Sequence, residues 1–457
     1  MIEISHLNYF KSIVGDENVK SDKAHLIAYC YDATRTRFEP DAVVFPRDEQ
    51  DVSKILKYCN DNQIIIVPRG AGSGFTGGAL PSSGGIILSL ERHMNKLLEI
   101  DMQNLVGVVQ PGLINMDFQK AVEEVGLFYP PDPASEEYST LGGNVSENAG
   151  GMRAAKYGIT KDYVMALRAV LPNGEIITAG KKTIKDVAGY NTAGILIASE
   201  GTLAVITEIT LKLIPKPKLK QTYMGIFPNV NNAMNAVFKS LASGANPVAM
   251  EFLDALVIQA LREKLNVDLP SDAGAVLVGD VDGSSQDDIQ SQLQTLKDSF
   301  AQNGSSDFII AKDEQEAAKL WYARKNASPA VTIFGNKKLN EDISVPRSKL
   351  PEALSEIYKI GEKYDFKVPC FGHAGDGNIH VNVMIDQSQI EEGHKAIEEI
   401  FQLVVDMGGT LSGEHGIGTA KAPFMSIAFS DAEMELFRSI KKAFDPNNIL
   451  NPFKMGL

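Results

Sequence analysis

Apolar residues recur along this chain in two periods. Runs at 64–67, 85–90, 105–110, 165–171 and 203–213 are rich in branched side chains and bounded by Gly, Pro or Asn, which predicts strands. Ahead of the first run, residues 51–60 carry Val52, Ile55 and Leu56 on one side and predict a helix. Beyond about residue 221 the period lengthens. Val257, Leu261 and Leu265 form one helical stripe, and Leu350, Leu354 and Ile357 a second. Ile390, Ile397, Phe401 and Val404 form a third, stopped by Gly408-Gly409. Ser430 and Glu433 predict a capping box before Met434, Phe437, Ile440 and Phe444, and Asp445-Pro446 ends that helix. The Pro/Lys stretch 213–220 separates the two regimes and is the expected domain boundary. The resulting segments are 1–35, 36–216, 217–410 and 411–457.

Composition narrows the class. The 457 residues suit more than one domain. With 44% hydrophobic and 22% charged residues they can bury a sizeable core. A net charge of −14 repels phosphate backbones, so nucleic acid is not an expected partner. The three cysteines, Cys30, Cys59 and Cys370, lie far apart in sequence, which excludes a disulfide framework and a cysteine-ligated iron–sulfur cluster within this chain. No apolar run approaches the roughly 20 residues that cross a bilayer. The first residues lack a basic start followed by an apolar run, so no signal peptide is expected. The cytoplasm is the expected location, with peripheral attachment to the inner face of a membrane left open.

The glycines cluster in loops. Pro68-Arg-Gly-Ala-Gly-Ser-Gly-Phe-Thr-Gly-Gly78 follows the first strand, and its backbone can point several N–H groups at phosphate oxygens. Ser73 and Thr76 add hydroxyl donors. No Lys-Ser/Thr follows the last glycine, so this is not a Walker loop, and Phe75 occupies the third-glycine position of a dinucleotide fingerprint. A second piece runs from Pro130-Pro-Asp-Pro133 to Thr140-Leu-Gly-Gly-Asn-Val-Ser-Glu-Asn-Ala-Gly-Gly151, where Asn144, Ser146 and Asn148 are spaced by two. A third is Ser199-Glu-Gly-Thr202. Together they predict a large ligand read mainly by backbone.

Two later loops carry the histidines. In Phe371-Gly-His-Ala-Gly-Asp-Gly-Asn-Ile-His-Val-Asn-Val383 the alternation places Ile379, Val381 and Val383 on one face and His380 and Asn382 on the other, with a turn returning His373. Leu411-Ser-Gly-Glu-His-Gly-Ile-Gly-Thr419 sets Glu414 beside His415 among glycines. Two imidazoles and one carboxylate, from His373, His380 and Glu414, suit a catalytic divalent metal with an open position. His415 then remains as a general base near neutral pH.

The segments PRGAGSGFTGG, PPDPASEEYSTLGGNVSENAGG and ASEGTLAVITEITLKL resemble the FAD domain of the vanillyl-alcohol oxidase type. GHAGDGNIH and SGEHGIG resemble the D-2-hydroxyacid dehydrogenase branch of that family, which includes glycolate oxidase flavin subunits, FAD-linked D-lactate dehydrogenases and D-2-hydroxyglutarate dehydrogenase. The resemblance implies an α+β fold. A two-part FAD-binding domain (36–216) follows an N-terminal helical segment. A substrate (cap) domain with an antiparallel sheet and the metal site (217–410) comes next, and a C-terminal helical segment (411–457) returns to the FAD domain. It implies Pro68, Arg69, Gly70, Ala71, Gly72, Ser73, Thr76, Gly77 and Gly78 around the pyrophosphate. Pro131, Asp132, Gly142, Gly143, Asn144, Ser146, Asn148, Gly151 and Gly158 would lie near the isoalloxazine and ribityl chain, and Glu200, Gly201 and Ile206 beside the cofactor. His93, the only histidine near these loops, matches no covalent-attachment motif, so the FAD is expected to be non-covalent. The resemblance also implies zinc on His373, His380 and Glu414, with Asn382 near the substrate hydroxyl. It further implies His415 as base, Arg324 on the substrate carboxylate, and Ser328 and Lys338 as further substrate contacts.

The expected reaction is oxidation of a small D-2-hydroxy acid, glycolate or D-lactate, to the 2-oxo acid, with hydride passing to flavin. D-2-Hydroxyglutarate is the alternative substrate. A metal hydrolase would leave the glycine loops unexplained, and a non-catalytic flavin-binding subunit would not need the metal and base residues. The electrons require an external acceptor: a partner subunit, an electron-transfer protein or a quinone. A hetero-oligomer or a homodimer is consistent with this.

Overall fold

The computed structural model describes residues 2–457. Two compact units form. One is assembled from residues 2–151, 159–216 and 414–457, the other from 152–158 and 217–413.

In the first unit, strands Val19–Lys20, Ala42–Val44, Ile86–Ser89 and Ile66–Arg69 form a sheet in that order, parallel except at its first pair. The helix Glu49–Asn62 is longer than its apolar stripe because Asp48 caps it, accepting a bond from Asp51 N at 2.9 Å. It buries Val52, Ile55, Leu56 and Cys59 with Phe10 and Val14 of the helix Ile4–Val14. A second, antiparallel sheet orders Leu97–Asp101, Val106–Val109, Val205–Lys212, Val164–Val170 and Ile176–Gly180. Each predicted strand of this region is present, its ends trimmed or shifted by one or two residues. The expected capping box closes on the helix Asp431–Phe444: Glu433 N donates to Ser430 Oγ at 3.4 Å and Ser430 N to Glu433 Oε2 at 2.8 Å.

The second unit is built on a seven-stranded antiparallel sheet. Its order is Asp307–Ile310, Leu219–Phe227, Ala275–Gly283, Ala249–Asp254, Cys370–His373, Asn378–Ile385 and Lys337–Ser344. The predicted stripes become the helices Ala255–Leu265, Leu350–Lys363 and Ile390–Asp406. No helix among the described residues is long and apolar enough to cross a membrane.

Beyond Lys182, which pairs with Glu99 and Asp101, the segment 181–191 projects from the sheets. It has no regular structure, and Ile184, Val187 and Tyr190 are each more than nine-tenths exposed. Limited trypsinolysis should therefore cut first at Lys181, Lys182 or Lys185, leaving fragments of roughly 20 and 30 kDa on a gel. First cleavage elsewhere would contradict this.

Candidate active site

Within the first unit, the glycine loops enclose about 1360 Å³ of empty space, part of it open to solvent. The wall is formed by residues 68–75, 78–79, 133–135, 138–140, 142–144, 146–147 and 149–150, with Glu200, Gly201, Ala204, Ile206, Glu414 and His415. The backbone N–H groups of residues 70–75 donate to no protein acceptor among the described residues. Deeper in the wall, Ser139 Oγ and Asn144 Nδ2 are buried without a hydrogen-bond partner. Buried donors left unmade cost about 1–3 kcal/mol each, so this wall is built for a ligand rich in acceptors. The packing also demands glycine, since a Cβ on Gly70 would lie 2.1 Å from Thr140 Oγ1. A dinucleotide with its pyrophosphate on loop 70–75 fits these donors.

The implied cofactor residues divide into wall and support. Arg69 lines the cleft, but its guanidinium shapes the loop from behind, donating to Ala79 O at 3.2 Å and Tyr31 O at 2.8 Å. Thr76, Gly77, Pro131, Asp132, Asn148 and Gly151 stand outside the wall. Pro131 O accepts from Asn115 Nδ2 and Gln119 Nε2, and Asn148 Oδ1 accepts from Lys161 N. Gly158 belongs to the second unit, where it terminates the short helix Ala154–Tyr157. Sequence reasoning missed Ser139 and Tyr138 because no glycine pattern marks them.

Glu414 and His415 also line this cleft. A Cβ on Gly150 would lie 3.1 Å from Glu414 Oε1, so the carboxylate rests on the second glycine loop. The His415 ring stacks obliquely on Phe75, with centroids 5.0 Å apart, and its carbonyl accepts from Thr76 Oγ1 at 3.1 Å. Burial raises the Glu200 carboxyl above the ordinary range, opposed by N–H donation from Ile417 and Gly418 and by the charges of Lys454 and Lys421.

The second unit gathers the other polar residues. His373 and His380 end up on neighbouring strands of a hairpin, rings 5.3 Å apart and nearly perpendicular. Glu251, fully buried, is the register partner of His373 on the adjoining strand. Its Oε1 lies 2.7 Å from His373 Nδ1, and its Oε2 accepts from Arg324 Nε at 2.7 Å. Engaging Nδ1 in this way fixes the tautomer whose Nε2 a metal ion would take, so the donor set fits a divalent cation. Arg324 lies 5.0 Å over the Phe371 ring. Its terminal nitrogens bond no protein acceptor among the described residues. Lys338 Nζ donates to Ser328 Oγ at 2.7 Å.

Asn382 is fully buried. Its Nδ2 donates to Pro369 O and His380 O, and its Oδ1 accepts from Asn340. The whole strand Asn378–Ile385 is buried, so the face carrying His380 and Asn382 is shielded from solvent as well as the apolar face. Glu251 was invisible in sequence, a lone acid within an apolar run.

Residues 216–455 match the family of FAD linked oxidases, C-terminal domain, and residues 40–180 match an FAD binding domain. The chain is 40% identical over 447 residues to the glycolate oxidase subunit GlcD of Bacillus subtilis (strain 168), covering 97% of this chain and 95% of that protein. It is 34% identical over 457 residues to a D-lactate dehydrogenase of Anaerostipes hadrus, covering 97% and 94%. Among solved structures, p-cresol methylhydroxylase with substrate bound matches with a TM-score of 0.80 at 17% identity, covering 99% of this chain and 96% of that one, a likeness of fold. With its cofactor-shaped cleft and a matched C-terminal domain over more than half its length, this chain belongs to the FAD-linked oxidoreductases of the vanillyl-alcohol oxidase type.

Proposed function

We propose that this chain oxidises a small D-2-hydroxy acid, glycolate or D-lactate, to the 2-oxo acid. One observation carries the reading. A single buried carboxylate, Glu251, orients both a cation suited to a substrate carboxylate and one imidazole of a histidine pair. The relatives named for glycolate and D-lactate supply the substrate class.

Arg324 binds the substrate carboxylate through its terminal nitrogens, a planar fork that matches two oxygens. Lys338 and Ser328 form a polar flank for the same group, and Asn382 holds the His380 strand in place. His415 accepts the hydroxyl proton, its loop immobilised by Thr76. FAD, held non-covalently by the glycine loops, supplies the hydride acceptor when bound. A divalent cation, zinc in this reading, supplies positive charge beside the substrate hydroxyl. His373 and His380 would hold it, with Glu414 as third ligand. Chain geometry supports Glu414. Gly413, one residue earlier, donates its N–H to Asp342 Oδ2 at 3.0 Å, and Asp342 is the register partner of His380. The three cysteines are free and buried, so electrons leave to an external acceptor, which we assign to a partner subunit or a diffusible carrier.

Anaerobic spectroscopy tests the reading. The flavin absorbance should bleach on adding glycolate or D-lactate and persist with L-lactate. Bleaching by D-2-hydroxyglutarate alone would move the substrate assignment, and no bleaching by any 2-hydroxy acid would end it.

A further inference from the structure

Glu200 was expected beside the cofactor and lines the cleft, but its carboxylate is committed to another loop. Its oxygens accept the N–H groups of Ile417 and Gly418, each at 2.7 Å, just beyond His415. Two adjacent backbone donors converging on one carboxylate form a nest closed by a side chain of the same protein. The rest of Glu200 is equally committed. Its N–H donates to Ser146 O at 2.9 Å, on the second glycine loop, and its carbonyl accepts from Asn451 Nδ2 at 2.7 Å. The residue is buried and holds a left-handed backbone with φ 50°, a conformation that costs a non-glycine residue of order 1 kcal/mol or more. Such strain persists only where surrounding contacts enforce it.

The loop is gripped from a second side. Thr419 N and Ala420 N donate to Thr76 O at 2.9 and 3.0 Å. Gly416 has φ 78°, and a Cβ there would meet Glu147 Oε2 at 2.1 Å. The turn that presents His415 is thus clamped between the first and third glycine loops.

We propose that Glu200 is a positioning residue for His415, its carboxylate setting the attitude of the 414–418 loop rather than binding FAD. The proposal rests on His415 being the base. In Glu200→Gln the amide oxygen can accept from only one N–H, and the amide nitrogen faces the other donor to donor. The loop should then loosen while the glycine wall, which supplies the cofactor contacts, persists. Misplacing a catalytic group by about 1 Å costs on the order of 10²-fold.

Three measurements on the full-length Glu200→Gln protein decide the matter. Hydrogen exchange of the peptide spanning residues 414–420 should speed up at least tenfold. FAD affinity, measured by reconstituting the stripped protein, should change less than threefold. In the reconstituted protein kcat should fall roughly 10- to 100-fold at nearly constant KM for the hydroxy acid. A tenfold loss of FAD affinity with unchanged exchange would overturn the proposal, as would an unchanged kcat. Where Glu200→Gln does not accumulate folded, Glu200→Asp, shortened by one methylene, takes its place, and the same outcomes support or overturn the proposal. If the unaltered protein oxidises no 2-hydroxy acid, the base assignment fails. Exchange and FAD affinity then still decide where the carboxylate acts.

Discussion

In His415→Ala, turnover of the 2-hydroxy acid is expected to fall by roughly 10²- to 10⁴-fold while FAD remains bound at full stoichiometry. The expectation follows from how this residue is built in. Its backbone is tied to the first glycine loop through Thr76 Oγ1 on the carbonyl. Its ring rests against Phe75, which is itself half exposed. Deleting the imidazole therefore removes a proton acceptor and leaves the loop's backbone ties in place. Visible absorbance of the purified variant reports the flavin, and single-turnover bleaching reports the chemistry. Normal bleaching would assign proton removal to another group. A colourless variant would instead make His415 part of the cofactor's support.

Glu251→Gln should be nearly as severe by a different route. Glutamine keeps the shape but cannot accept from both Arg324 Nε and His373 Nδ1, because one of its two terminal atoms is a donor. Removing one partner of a buried ion pair costs about 3–5 kcal/mol, since the other charge is left uncompensated. Loss of the carboxylate behind a ligating histidine typically weakens metal binding 10- to 100-fold. The variant should therefore show a lowered melting temperature, depleted zinc by elemental analysis and a raised KM for the hydroxy acid. Full zinc content at unchanged KM would show that Glu251 serves the sheet alone.

The contrast between these two residues shows what a linear chain can display. His415 was marked as a candidate because glycines flank it on a loop. The histidine hairpin was readable because turn residues and alternation sit within a dozen positions. Glu251 acquires its meaning from register with His373, 122 positions away, and nothing local within Ala249–Asp254 marks that pairing. The strands around it were hard to delimit for a related reason. Ala275–Gly283 and Ala249–Asp254 are buried nearly throughout, so neither shows the polar–apolar alternation that marks a half-exposed strand. Glu200 gave a partial signal. Its Ser-Glu-Gly-Thr turn was marked as part of the ligand site, but its bond across more than 200 residues to the His415 loop could not be inferred from spacing.

The cofactor unit closes with the end of the chain. Ile66 N donates to Ile449 O, and Asn451 N returns to Ile66 O, which adds a bridge beside strand Ile66–Arg69. Lys441 Nζ joins Thr202 O to Leu450 O, and the buried Lys454 Nζ reaches Leu80 O. During synthesis the sheet that opens the glycine cleft emerges hundreds of residues before the segment that seals its flank. The middle unit leaves the ribosome with all its strands already made. A nascent chain that stalls before residue 449 therefore lacks the segment that braces strand Ile66–Arg69 beside the glycine cleft, although every strand of the second unit has been synthesised.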